Sequence, residues 1–256
     1  VLITTDLLRM PKPFSDRLRN RLEKKYKLSR AQIIINSSHT HSGPVLDDAL
    51  KDIYPLDKEQ SQRIRSYTSE LEDRMVNLVG KALSSLQPAQ LHSKNGVTRF
   101  QVNRRNNVEA SLALQTELKG PNDHAVPVIK VTDAKGKLLA ITFGYACHPT
   151  VLSLYEWSGD YAGFAQIEIE KAYPGVTALF FQGAGADQNP LPRRTIPLAK
   201  QFAKELAAAV ERVLDEEMTS LSPTLSTAYS EVDLAIDPAP SNDELNKMIN
   251  SGPDYQ

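Results

Sequence analysis

The sequence predicts an α/β fold in which a layered, mixed β-sheet, or more than one, is flanked by long amphipathic helices. Three observations lead there. Short apolar, β-branched runs such as Ile33 to Ile35 and Val176 to Gln182 have the length of buried strands. Two long segments, one before Leu86 and one after Thr195, carry apolar residues at helical spacing. Between them, Asp133-Ala134-Lys135-Gly136-Lys137 separates two strand-like runs as a hairpin would, so the sheet is mixed rather than purely parallel.

Taken in order, Val1 to Leu7 reads as a strand. Pro13 to Lys27 reads as a helix, with Phe14, Leu18, Leu22 and Tyr26 on one face. Ile33 to Asn36 is the next strand, and Pro44 to Pro55 a connecting loop. Asp57 is placed to cap a helix reaching Leu86, whose expected buried stripe is Ile64, Tyr67, Leu71, Met75, Leu78, Ala82 and Leu86. Gln90 to Gln101 has strand-like stretches, and Val102 to Asn107 is a polar loop. Val126 to Thr132 and Leu138 to Cys147 form the hairpin. Asp160 is expected to cap a helix to Tyr173, Val176 to Gln182 is an apolar strand, and Thr195 to Met218 is the second long helix. Thr224 to Ile236 alternates as a strand does, and a final helix starts at Asn242.

Bulk properties narrow the functional classes. A formal net charge of −1 over 256 residues gives no electrostatic case for nucleic acid or an anionic membrane surface. The longest apolar run, Leu138 to Cys147, is half what a bilayer span requires. The single cysteine, Cys147, excludes an internal disulfide framework and a cysteine-rich zinc site, and its apolar flank fits an inert thiol. The chain opens inside an apparent strand and stops soon after a helix begins, which reads as truncation at both ends.

Chemistry concentrates in Ser38-His39-Thr40-His41-Ser42-Gly43-Pro44, directly after a strand. In extended chain, residues i and i+2 project to the same side, so His39 and His41 are expected to share a cleft. His148, in Cys147-His148-Pro149-Thr150, ends another apolar strand. Imidazoles at neighbouring strand ends suit a metal ligand set beside a proton-transfer group. No third ligand is evident; Asp160 and Asp187 are candidates, each with an alternative as helix cap or turn former. Gly183 to Pro190 lacks the lysine and hydroxyl of a P-loop, leaving a tight substrate-side loop or a structural turn. Asn103-Arg104-Arg105 offers forked donors for a carbonyl, hydroxyl or carboxylate, or a solvated loop.

Four blocks in this order resemble the neutral/alkaline ceramidase family: His39-Thr40-His41-Ser42-Gly43-Pro44, Asn103-Arg104, Cys147-His148-Pro149-Thr150, and Ser158 to Ala165 followed by Gly185 to Pro190. The resemblance implies a ceramidase-like N-terminal catalytic domain over 1–237, incomplete at both ends, with 238–256 starting a further segment. It implies zinc-dependent hydrolysis of an N-acyl amide by metal-activated water, with a lipid or small-molecule amide as partner. His39 and His148 would be metal ligands, His41 the acid/base or oxyanion group, and Arg104 a substrate-side residue. The family's remaining ligands, a glutamate and a tyrosine, would come from positions beyond this sequence. A secreted or periplasmic location is also implied. One departure stands out: the family's serine before proline is Asn189 here, which can hydrogen-bond a substrate but cannot attack it. A related hydrolase of a different amide, ester or lactone, or a silent binding homologue, therefore stays open.

Overall fold

The computed structural model describes residues 1–50, 53–110 and 117–251. The expected loop over 44–55 includes 51–52, which lie outside that set. The chain forms two compact units, one of Val1–Met10, Ile34–Val45 and Lys81–Leu225, the other of Pro11–Ile33, Leu46–Gly80 and Ser226–Gln256.

The first unit holds the sheets. Strands β1 (Leu2–Thr5) and β2 (Ile34–Ser37) pair in parallel, Ile3 opposite Ile35. A five-stranded sheet is built from β3 (Ala89–Val97), β5 (Ala125–Asp133), β6 (Leu138–Tyr145), β7 (Thr177–Gln182) and the short β9 (Thr219–Ser220), in the order β7-β6-β5-β3-β9. Its β5–β6 hairpin is antiparallel, with Asp133 Oδ1 accepting from the Lys135 and Lys137 amides at the turn. β6 and β7 are parallel because helix α3 (Asp160–Ala172) returns the chain between them. The mixed sheet expected from the sequence is thus present.

Helices α3 and α4 (Ile196–Leu214) pack on this sheet and on each other. Ala165, Ile169, Phe202, Leu206 and Val210 meet Val126, Val128, Ile141, Phe143 and Phe180 in one buried cluster. Phe100 stacks on Phe202 at 4.7 Å between ring centroids. Thr195 caps α4 by accepting from the Leu198 amide. A separate two-stranded ladder, β4 (Gln101–Asn103) with β8 (Gln188–Pro190), lies where the sequence reading placed two loops. Three-residue strands carry too little periodicity to be seen without their partner.

In the second unit, α1 (Lys12–Tyr26) buries Phe14, Leu18 and Leu22 as its spacing predicts. Helix α2 (Lys58–Ser84) begins with Asp57 and Gln60 in reciprocal capping contacts. Its buried face differs from the expected stripe: Thr68, Glu72, Met75, Val76 and Val79 are buried, whereas Leu78 is 60% exposed. Pairing explains the rotation. Glu72 is held by Arg17 and Arg21 at 3.0 and 2.9 Å, and the Thr68 hydroxyl donates to the Ile64 carbonyl while accepting from the Asp47 amide. Polar side chains satisfied in this way can occupy a buried face.

The alternating segment Thr224 to Ile236 is not a strand. Among the described residues it has no ladder partner, and Val232, Leu234 and Ile236 stand exposed. Alternation supplies a face but not the neighbour whose amides would complete it. Helix α5 (Asn242–Ser251) follows, starting where expected. No helix among the described residues is long and apolar enough to cross a membrane.

Candidate metal centre

Three imidazoles converge at the ends of β2 and β6. Beyond β2 the chain keeps bonding to the exit of β1: the Ser38 amide donates to Thr5 O and the His39 amide to Leu7 O. His39 then adopts a left-handed backbone with φ 66°. This corrects the local reasoning from sequence, since extended alternation is not what aims His39 and His41; a sharp turn is. Thr40 anchors that turn, its hydroxyl donating to Ser158 O at 2.8 Å, and the Ser158 amide returns a bond to Ser42 O. Gly43 is required by crowding, because a Cβ there would sit 2.8 Å from Asp6 O.

Ring centroids of His39 and His148 are 4.9 Å apart, those of His39 and His41 5.1 Å, and those of His41 and His148 6.0 Å. One nitrogen from each ring can be chosen so that all three lie within 4.8 Å of one another. His39 Nδ1 lies 2.7 Å from Leu8 O, and His148 Nδ1 lies 2.7 Å from Gly185 O. A carbonyl can only accept, so both rings carry their proton on Nδ1 and leave Nε2 bare, the arrangement metal-ligating histidines adopt. His41 is the most exposed of the three rings; desolvation within the crowded site, then Coulombic opposition from His39, His148, Arg104 and Arg193, lowers its pKa to about 4. His148 is lowered as well, first by burial. Neutral imidazoles are the form a cation needs.

Arg104 leaves the β4–β8 ladder immediately beyond its last rung, its amide donating to Asp187 O at 2.7 Å. Asn103 shapes that exit: its Oδ1 accepts from the Arg105 and Asn106 amides, and its Nδ2 donates to Asp187 Oδ2 and Pro121 O. Asn189 sits on β8 opposite Val102, 7% exposed, with a buried Oδ1 that has no hydrogen-bond partner among the described residues. Its neighbour Gln188 offers its carbonyl to the His148 amide at 3.0 Å.

The two carboxylates considered as ligands are committed elsewhere. Asp160 is the first residue of α3 rather than its cap, which is Gly159; its oxygens accept from the Leu152 and Tyr161 amides. Asp187 accepts from Asn103. Neither joins the histidine group among the described residues. Cys147 is fully buried, and desolvation pushes its thiol pKa well up, so it is no nucleophile.

Sequence reasoning missed three contributors. Arg193, which pairs with Glu109, acts electrostatically on His41. Asp6, whose carboxyl is raised by desolvation, packs where a Cβ on Gly159 would lie only 2.9 Å away. The Asn36 side chain joins β2 to β7. Only Asp6, a lone charge inside an apolar strand end, left a trace in the sequence.

Neither protein-family models nor curated protein sequences give a match. Solved structures do. A ceramidase complexed with C2 superposes with a TM-score of 0.68 at 21% identity, covering 82% of this chain and 35% of that one. The neutral ceramidase from Pseudomonas aeruginosa gives 0.66 at 21% identity, over 82% and 36%. The chain thus spans about a third of the length of these ceramidases. At this level of identity the likeness speaks for architecture, and the architecture of this chain is a neutral-ceramidase-like fold.

Proposed function

We propose that this chain carries the metal-binding part of a zinc-dependent hydrolase that cleaves an N-acyl amide, with a ceramide-like lipid as the substrate class. The observation that carries the proposal is the matched pair His39 and His148, each spending Nδ1 on a carbonyl and keeping Nε2 free within one three-histidine cluster. The donor set fits the ion: neutral nitrogen ligands, close together, with positions left for water and further ligands. The ceramidase-like fold supports the reaction class.

In this reading His39 and His148 would hold zinc. When bound, the ion supplies Lewis acidity that polarises the scissile carbonyl and acidifies a nearby water. His41, neutral at physiological pH, would take the proton of an attacking water and return it to the departing nitrogen as the C–N bond breaks and a C–O bond forms. Arg104 donates to the acyl oxygen or the head group, drawing charge towards the site. Asn189 uses its unpaired Oδ1 to accept a substrate N–H or O–H. Because a carboxamide is no nucleophile, attack by activated water is the route these residues support, and a serine-type acyl intermediate is not.

Asn189 also motivates a second reading, in which the same centre hydrolyses a different amide, an ester or a lactone. Metal analysis of the full chain tests the centre: wild type retains stoichiometric zinc, and replacing His39 or His148 removes it. Stoichiometric zinc in both variants would overturn the assignment. A substrate panel then separates ceramide from other acyl compounds, and turnover of none would leave a binding homologue.

A further inference from the structure

The two histidine-bearing loops sit on different strands, far apart in sequence, yet their rings lie 4.9 Å apart. A ligand pair needs that spacing held to a few tenths of an ångström. Something must fix β2 against β6. Among the described residues the backbone ladders do not, because β2 pairs with β1 alone and β6 pairs with β5 and β7. Thr40 and Ser42 tie the histidine turn to Ser158, but the direct link from β2 towards the end of β6 is made by side chains.

Asn36 lies on β2, three residues before His39. Its Oδ1 accepts from the Gln182 amide at 2.8 Å and its Nδ2 donates to the Gln182 carbonyl at 3.2 Å. A carboxamide facing a peptide group in this way reproduces one rung of a sheet ladder, so it fastens β2 to the last residue of β7. The Gln182 side chain continues the link: its Nε2 donates to the carbonyl of Cys147, the residue before His148, at 3.1 Å, and to Gly183 O at 3.3 Å. Tyr161, buried in the core, donates to the same Cys147 carbonyl at 2.6 Å. The most direct side-chain path from His39 to His148 therefore runs Asn36, Gln182, Cys147, with a core tyrosine bracing its far end.

We infer that Asn36 and Gln182 are positioning residues that set the distance between His39 and His148 for metal binding. Neither belongs to the histidine group itself. The inference rests on the metal-centre reading above for its purpose, and adds residues which that reading does not use. Chemistry at position 36 is demanding: an aspartate keeps the acceptor for the Gln182 amide but loses the donor, and an alanine loses both. At position 182 a glutamate would oppose its carboxylate to the Cys147 carbonyl.

The test uses the full chain, titrated with Co²⁺ and followed by its d–d absorption, and with Zn²⁺ against a chelator. Asn36→Ala and Gln182→Ala should each weaken zinc binding about 10-fold or more, as lost outer-shell contacts do, and lower the Co²⁺ band intensity. Asn36→Asp should fall between alanine and wild type. The double alanine variant should be no worse than the more severe single, since both break one path. Far-ultraviolet circular dichroism checks folding, and Asn36→Asp serves if an alanine variant fails to fold. Zinc affinity within twofold of wild type, with an unchanged Co²⁺ spectrum, in a folded Asn36→Ala or Gln182→Ala overturns the inference. Wild type that binds metal without hydrolysing any amide would sink the hydrolase reading and leave this one intact. Wild type that binds no divalent ion would sink both.

Discussion

Gly185→Ala is the substitution whose outcome the geometry constrains most. Gly185 is buried in the loop after β7, and a Cβ there would lie 2.6 Å from the Ala146 carbonyl carbon and 2.8 Å from Cys147 Cα. Ordinary carbon contacts need the loop to retreat by roughly 1 Å. The obstacle is backbone next to His148, so no side chain can swing aside. Retreat lengthens the 2.7 Å contact between His148 Nδ1 and Gly185 O beyond hydrogen-bonding range. The Nδ1–H keeps the Gln188 carbonyl, 3.2 Å away, as a second partner, so losing the shorter bond costs about 0.5–1.5 kcal/mol, and overpacking adds about 1–3 kcal/mol. Reduced freedom of the unfolded chain offsets about 0.4–1 kcal/mol. A net destabilisation of about 1–3 kcal/mol follows, together with zinc affinity lowered about 10-fold as the ring loses the shorter of its two orienting bonds. Urea denaturation and chelator competition measure the two. Gly136→Ala is the control: nothing lies within 4 Å of its Cβ, so only the strain of φ 81° is felt and zinc binding is untouched. A Gly185→Ala protein within about 0.5 kcal/mol of wild type and with unchanged zinc affinity would refute the close-approach reasoning.

Three other outcomes are expected. Burial raises the Asp160 carboxyl from 3.8 to about 6, so the native state holds its proton more tightly than the unfolded chain. Its contribution is full below about pH 4 and is lost as pH rises through 6, a change of about 3 kcal/mol; Asp160→Asn should lack this slope in denaturation from pH 4 to 7, and an identical slope would contradict it. Glu72→Ala should cost about 1–2 kcal/mol, less than a fully buried pair, because Arg17 and Arg21 are 49% and 42% exposed and water can take them back. The exposed Arg63–Glu59 pair should register less than about 0.5 kcal/mol when broken, and equal losses at both sites would be wrong for this picture. Cys147 should resist thiol reagents in the native protein at pH 8 and react once urea unfolds it; rapid native labelling would contradict its burial.

What the sequence disclosed followed from how local each signal is. The helices declared themselves through spacing and caps, as with Phe14, Leu18 and Leu22 or the Asp57–Gln60 box. The β5–β6 hairpin was readable because its turn lies between its own strands. His39, His41 and His148 were found because imidazoles are scarce in this chain and sit at strand ends. Pairings across long separations were not legible. The β4–β8 ladder joins segments more than eighty residues apart, and Asn36 meets Gln182 across 146 residues. The α2 stripe failed for a related reason, because Glu72 is buried only by virtue of guanidiniums on another helix. Thr224 to Ile236 failed in the opposite sense, its pattern being right for a strand that has no mate among the described residues.

The positive φ at His39 bears on how the centre should be dissected. Alanine placed there loses the imidazole together with its Nδ1 contact to Leu8 O, yet keeps the cost of about 1–2 kcal/mol that any Cβ carries in the left-handed region. A lost ion could then report a sprung turn rather than a missing nitrogen. Glycine, which adopts that backbone freely, removes the ring while leaving Thr40 and His41 where they were. Comparing the two replacements separates coordination from conformation at one residue, a distinction His148 does not require.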